Sequence, residues 1–364
     1  MPYAIVLNNQ AMLYQSMGNY EAAVKVLLQA MTLSAKLESD KARNQLKFLS
    51  NLALLYQQMG KYAEAEKIYL ELDKKLDKGK PEQANMLNNY AILSLLMKKE
   101  DKVESMLKQS TGIYKSSMGE SSPAYAKVIS DLGNFYRHKA RYAEAEPLLQ
   151  QALQIREEVL GTNHPMYVQS QEDLALLHWK QKDFTTSISL YKTVMEKTLD
   201  FINSYFAPMS EAEKTRYWDM LAPRFQRFYN FALDAASSDK GILKDMFECR
   251  TATKGILLSS TRKISESISN SGNQQLIDDY TNWIDHKEQL TKLYAYSKQD
   301  LKEQAVNIDS LEANVNSMEK KISKNSKEFA DFYFAGKIKF NAIQNQLKGD
   351  EALVEIIRLQ QFEQ

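Results

Sequence analysis

The stretch NLALLYQQMGKYAEAEKIYLEL, residues 51–72, decides how this chain folds. It reads as a helix, a tight turn and a second helix. Gly60 sits where the first helix ends, and a glycine there takes left-handed dihedrals at no steric cost. Ala53 is small enough to let the second helix approach the first closely. Tyr56 and Tyr62 supply the bulk that fills the space toward a neighbouring unit.

The same pattern returns on both sides. Residues 8–30 read NNQAMLYQSMGNYEAAVKVLLQA, residues 88–110 NNYAILSLLMKKEDKVESMLKQS, residues 130–152 SDLGNFYRHKARYAEAEPLLQQA and residues 172–194 EDLALLHWKQKDFTTSISLYKTV. Aligned on one small residue, Ala11, Ala53, Ala91, Gly133 and Ala175 are spaced 42, 38, 42 and 42 residues apart. Three positions later come Tyr14, Tyr56, Ser94, Tyr136 and His178; further on come Tyr20, Tyr62, Glu100, Tyr142 and Phe184, then Ala23, Ala65, Val103, Ala145 and Ser187. Such self-similarity is the mark of a solenoid, in which one unit cannot bury its apolar face alone and stacked neighbours bury it together. The third unit departs most, lacking both aromatics and the second-helix alanine.

On these residues the chain resembles the tetratricopeptide repeat (TPR) family, with five units over residues 4–200. The period is longer than the usual repeat. The extra length lies in connectors such as GIYKSSMGESSPAYAKV and QIREEVLGTNHPMYVQS, where Ser121-Ser122-Pro123 and Asn163-His164-Pro165 mark turns. It is similar to the long-helix subtype of kinesin light chains and many bacterial scaffolds. The fold class expected is all-α: a right-handed TPR α-solenoid followed by a helical connector and hairpin, with one isolated C-terminal β-strand.

The resemblance implies that first helices line a concave groove, with the residue two before the small alignment position pointing into it. Here that ladder is Asn9, Asn51, Asn89, Asp131 and Asp173. Asn and Asp are poor helix formers, so their recurrence inside helices asks for a reason. A carboxamide offers donor and acceptor together and suits the backbone of an extended peptide; bonds to neighbouring repeats or to water are the alternative. Around the ladder lie Lys47, Lys127, Asn134, Arg137 and Lys180, with Met12, Leu54 and Ile92. The face reads as apolar in the first three units and charged in the last two. The expected partner is a protein or peptide segment in this groove.

Composition agrees. The chain has 364 residues, 44% hydrophobic and 26% charged, which excludes global disorder. Average usage would give roughly 25 Gly and 18 Pro; the chain has 12 and 7, so long helices are expected. The 47 Lys+Arg against 46 Asp+Glu leave a net charge of +1, without the basic excess of a nucleic-acid binder. One cysteine permits no internal disulfide and no Cys-based zinc cluster. No apolar run approaches a membrane span. The first residues lack the basic region of a signal peptide and read as the middle of a helix. The chain is therefore expected to begin inside a longer natural protein and to be cytoplasmic.

Past residue 200 the repeat stops, and residues 201–350 read as a helical connector. Ser210 with Glu213 is a capping box. Trp218, Leu221, Phe225, Phe228 and Phe231 fall at helical spacing and read as core. From Gln274 to Lys327 apolar residues including Ile277, Tyr280, Ile284, Leu290, Ile308, Leu311, Val315, Met318 and Ile322 fall mostly at threes and fours. Two amphipathic helices of an antiparallel hairpin with its turn near residues 297–307 fit this spacing, and coiled-coil-like self-association through residues 274–327 is the alternative. Residues 352–359 read as a strand, the start of a segment 351–364 that lacks ladder partners.

The order of these segments resembles the approach to a CHAT domain, a caspase-like peptidase domain that usually follows TPR arrays in bacteria. The residues are MSEAEKTRYWDMLAPRFQRF at 209–228, ECRTATKGILLSSTR at 248–262, MEKKISKNSKEFADF at 318–332 and AIQNQLKGDEALVEIIR at 342–358. In that family residues 254–258 and 347–355 would open the domain, while the peptidase His and Cys lie beyond the strand and have no counterpart here. The resemblance implies a regulatory or sensor half without the catalytic domain, whose partners include its own CHAT domain. A stand-alone adaptor is the alternative.

No catalytic site is expected in these residues. Cys249 reads as a small buried residue. The four histidines show no metal-ligand spacing, and neither a dinucleotide fingerprint nor a phosphate loop occurs, so no cofactor or metal is expected.

Overall fold

A computed structural model describes residues 2–35, 41–206, 209–254, 268–293, 307–325 and 339–358. The chain divides into two compact units, Met1–Val194 and Met195–Gln364.

Ten helices form five pairs: α1 (Pro2–Ser16) with α2 (Tyr20–Ala35), α3 (Lys41–Gln58) with α4 (Tyr62–Lys75), α5 (Pro81–Leu96) with α6 (Val103–Met118), α7 (Pro123–His138) with α8 (Tyr142–Leu160), and α9 (Pro165–Lys180) with α10 (Phe184–Phe206). The pairs stack in sequence order, α2 on α3, α4 on α5, α6 on α7 and α8 on α9. The turns explain why each first helix stops where it does. Gly18, Gly60, Lys98, Ala140 and Lys182 all have positive φ, at 71°, 73°, 58°, 55° and 65°. In each, the N–H of the following residue reaches back five positions, as in Asn19 to Tyr14 O at 2.8 Å, Lys99 to Ser94 O at 2.8 Å and Asp183 to His178 O at 2.9 Å. This is the Schellman closure, which satisfies carbonyls the helix end leaves open. Helices α5, α7 and α9 begin at prolines, where the missing N–H costs nothing. Ser122 and His164 cap two of them, accepting from Tyr125 N and Met166 N.

Ala23, Ala65, Val103, Ala145 and Ser187 are fully buried where each pair crosses. At Gly133 the partner helix leaves no room for a side chain: a Cβ there would lie 2.9 Å from Leu149 Cγ. One apolar cluster runs from Ala53 to Leu177 and another joins α1 and α2 to α3. The third pair forms despite its departures. Val103 is as buried as the alanines it replaces, and Ser94 turns its hydroxyl onto Tyr90 O at 2.9 Å.

In the second unit α11 (Glu211–Ala235) opens with the expected capping box between Ser210 and Glu213 and buries Phe225, Phe228 and Phe231. It is followed by α12 (Ile242–Thr253). Helices α13 (Gln274–Leu293) and α14 (Ile308–Asn325) pack on each other through Leu276, Tyr280, Trp283, Leu290, Val315 and Ile322. Most of the turn expected at 297–307 lies outside the described residues. A short α15 (Phe340–Gln344) follows.

The strand expected at residues 352–359 is not formed. Residues 351–358 have neither helix nor strand structure, Leu359 lies outside the described residues, and no described residue is in a strand. The physical reason is that no strand among the described residues offers it a ladder. Ion pairs from Glu355 to Arg250 Nε (3.2 Å) and Lys254 Nζ (2.5 Å) lay the segment on the end of α12 instead.

Candidate functional site

The first helices α1, α3, α5, α7 and α9 run in register, so side chains at equivalent positions fall into rows. Along the ladder row, Asn9 is exposed, Asn51 and Asp131 are half-buried, and Asn89 and Asp173 are buried. Asn51 Nδ2 donates to Asn8 Oδ1 at 2.8 Å. Asp131 Oδ2 accepts from Asn88 Nδ2 at 2.6 Å and from Lys127 Nζ at 3.2 Å. Asp173 Oδ2 accepts from Ser130 Oγ at 3.0 Å, and its other oxygen accepts from Gln169 Nε2 at 3.1 Å. Asn89 Oδ1 accepts from Lys127 Nζ at 3.4 Å, and its Nδ2 donates to Asn85 at 3.5 Å.

Three of these bonds link consecutive repeats by one rule. The residue just before the ladder position in one unit, Asn8, Asn88 or Ser130, meets the ladder residue of the next unit. The ladder thus staples first helix to first helix. Burial pushes the Asp173 carboxyl up from its ordinary pKa, against the lowering effect of its Gln169 and Ser130 hydrogen bonds. The staple partners were missed in the sequence, although the alignment shows a polar residue at every one of their positions: Asn8, Ser50, Asn88, Ser130 and Glu172.

The neighbouring rows remain accessible. Met12 and Lys47 are exposed; Leu54, Ile92, Lys127, Asn134, Arg137 and Lys180 are half-buried. Asn134 Oδ1 accepts from Arg137 Nε at 3.2 Å and Nη2 at 3.1 Å, which fixes the guanidinium beside it. Lys180 Nζ lies 5.6 Å from the Trp179 ring centre. The face therefore passes from Met12, Leu54 and Ile92 to the polar and cationic set Lys127, Asn134, Arg137 and Lys180.

At the turns, ion pairs join the third and fourth units. Glu104 binds Lys108 at 2.7 Å, Arg141 Nη1 at 2.8 Å and the Tyr136 hydroxyl at 3.2 Å. Hydrogen bonds from Lys108 and then Arg141 pull its pKa down to about 2.

In the second unit Cys249 is a buried thiol on α12. A cleft of about 490 Å³ lies between α12, α15 and residues 351–357, lined largely by apolar side chains such as Met246, Phe247, Phe340 and Ile343. Of the segment expected to open a CHAT-like domain at 254–258, only Lys254 is among the described residues. No helix among the described residues is long and apolar enough to cross a membrane.

Residues 2–72 and 125–197 match the tetratricopeptide repeat family model. The matched residues fall within α1–α4 and α7–α10, and α5 with α6 repeats their pairing. Within those two stretches the helix pairs are similar to tetratricopeptide repeats. Among solved structures the chain is similar to a putative kinesin light chain with nearly identical TPR-like repeats from Podosopora anserina, at 22% identity and TM-score 0.40, covering 54% of this chain and 94% of that one. The Q17M form of that protein gives 22% and 0.41 over the same shares. BtubC (BKLC) from P. vanneervenii is 17% identical with TM-score 0.48, covering 67% of this chain and 92% of that one. No curated protein matches the chain.

Proposed function

We propose that the five repeats are a scaffold that holds an extended segment of a partner protein along the first-helix face. The observation that supports this most is the accessible row Met12, Leu54, Ile92 and Asn134, in phase over four units and bordered by Lys47, Lys127, Arg137 and Lys180. An apolar stretch of partner seats on the first three units, and polar or acidic residues meet the cationic end. Asn9, Asn51 and Asp131 reach the partner backbone; an asparagine that has made one bond still has donors and an acceptor to offer. Asn89 and Asp173, the buried members of the ladder, hold the helices that present the others.

The test is direct. Peptides selected by display on the whole chain are measured against Leu54→Glu with Ile92→Glu, and against Ile356→Glu as a control in the second unit. The first variant is expected to lose affinity by about tenfold or more, with unchanged far-UV circular dichroism. Equal binding by both variants would refute the groove.

A narrower reading makes this scaffold the regulatory or sensor half of a TPR–CHAT cysteine peptidase. Its support is the resemblance of residues 209–228, 248–262, 318–332 and 342–358, together with the contact of Glu355 with Arg250 and Lys254, which brings two of those segments together. A reading frame that continues past Gln364 into strands bearing a His and a Cys favours it. A stop codon there favours a stand-alone adaptor.

A further inference from the structure

The two acids of the ladder stand in different company. In the fourth repeat Asp131 is half-buried and has a lysine one turn before it, Lys127, whose Nζ donates to Asp131 Oδ2 at 3.2 Å. In the fifth repeat Asp173 is only 5% exposed, and the residue one turn before it is Gln169. The groups that bond the Asp173 carboxyl are therefore neutral, the Ser130 hydroxyl of α7 at 3.0 Å and the Gln169 carboxamide at 3.1 Å. A hydroxyl both donates and accepts. The link between α7 and α9 thus survives when the carboxyl takes up a proton: the acid O–H then donates to Ser130 Oγ, and the other oxygen still accepts from Gln169.

Charged groups act on the carboxyl from the helices around it. Arg137 does so from α7, Arg156 from α8, and Glu172, fully buried, from beside it on α9. Arg156 is itself buried, gives Nη1 to Ser170 Oγ at 2.5 Å, and also feels Asp131 of α7. From α10 it is the neutral Ser187 that bonds α9, through Ala175 O at 2.8 Å. Burial is the largest influence and favours the neutral acid, and Glu172 adds to it. The Gln169 bond, Arg137 and the Ser130 bond oppose them without prevailing.

We propose that Asp173 is a proton-operated latch between the fourth and fifth repeats: it holds a proton while α7 and α9 are closed on each other and gives it up to solvent when they part. The inference does not depend on the groove. Opening lets water reach the carboxyl and returns it to the ordinary range near 3.8. Below that value both forms hold the proton and the latch is at full strength. Above it the open form has lost the proton and the closed form keeps it. Closing therefore weakens by up to about tenfold per pH unit, until the closed form ionises too. Glu104 at the preceding joint acts in the opposite sense.

Hydrogen exchange of the α9 amides in the full chain tests the latch, with wild type and Asp173→Asn compared at the same pH and α3 as internal reference. Asparagine fills the ladder position in the first three repeats, so the variant is expected to fold, and it does not titrate. The ratio of the α9 rates, wild type over variant, is expected to rise by about tenfold or more between about pH 4 and about pH 7, while α3 exchanges equally in both. A ratio that does not change with pH would make Asp173 a plain hydrogen-bond acceptor and overturn the proposal. The carboxyl carbon resonance that Asp173→Asn removes gives a second reading, from the wild-type chain itself. It is expected to titrate above the ordinary aspartate range, and titration within that range also overturns the proposal.

Discussion

Asn88 on α5 gives its Nδ2 to Oδ2 of Asp131 on α7 at 2.6 Å, so a buried donor of one repeat is met by the acceptor of the next. Asn88 is fully buried. Removing the carboxylate strands a buried donor, which costs the desolvation of that group as well as the bond. Asp131→Ala is expected to lower stability by about 1–3 kcal/mol, read from the urea midpoint. Adding Asn88→Ala should cost less than the sum of the single changes, with a coupling of about 0.5–3 kcal/mol. Strict additivity would mean that the two side chains do not act as a pair.

The turn residues make a prediction of opposite sign. Lys98, Ala140 and Lys182 take the left-handed conformation that glycine takes at Gly18 and Gly60. A side chain there costs about 1–2 kcal/mol, partly offset because glycine frees the unfolded chain. Ala140→Gly is expected to stabilise the array by about 0.5 kcal/mol. Gly60→Ala should destabilise it by about 1 kcal/mol, although a Cβ at Gly60 meets nothing within 4 Å. Thermal melts of the two variants shifted in the same direction would reject the backbone explanation.

The same comparison shows what was legible in the sequence. Close helix crossing demands a small residue and a turn at fixed spacing, so Ala11, Ala53, Ala91, Gly133 and Ala175 announce the five pairs. Even the third pair is legible from its neighbours, because Val103 fits the buried crossing that alanine takes elsewhere. The ladder was visible as a row of amides and acids, but its hydrogen-bond partners were not. They depend on how closely consecutive first helices approach, which no single repeat encodes. Residues 352–359 looked like a strand because of their apolar, β-branched content. Whether such a segment pairs or lies on a helix depends on partners distant in sequence, here Arg250 and Lys254.

Glu355 anchors that terminal segment, and its loss should show as faster cleavage. Both ion pairs are partly solvent-exposed at the basic partner, so their worth is modest, at most about 1 kcal/mol. Arg358 is exposed three residues on and is a natural site for trypsin. Glu355→Ala is expected to speed cleavage after Arg358 by about 2–5-fold while leaving the melting of the repeats unchanged. An unaltered rate would show that apolar contacts in the adjoining cleft hold the segment without help from the carboxylate.

Glu104 ties stability to acid. Its pKa falls from 4.5 to about 2 on folding, through hydrogen bonds from Lys108 and Arg141. Between those values the unfolded chain binds the proton more readily than the folded one, so stability rises with pH there. The contribution is complete above about pH 4.5 and is lost as pH falls toward 2. The carboxylate is about a third exposed, at 34%, so solvent screening limits the effect to about 1 kcal/mol at most, or about 2–4 °C in melting temperature for an array of this size. Glu104→Gln should therefore melt below the wild type at pH 6, and the gap should close by about pH 2. High salt should narrow it at pH 6 as well, since these charges lie at the surface. A gap that persists unchanged at low pH would trace the loss to packing of the side chain and would remove the ion pairs from the joint between the third and fourth repeats.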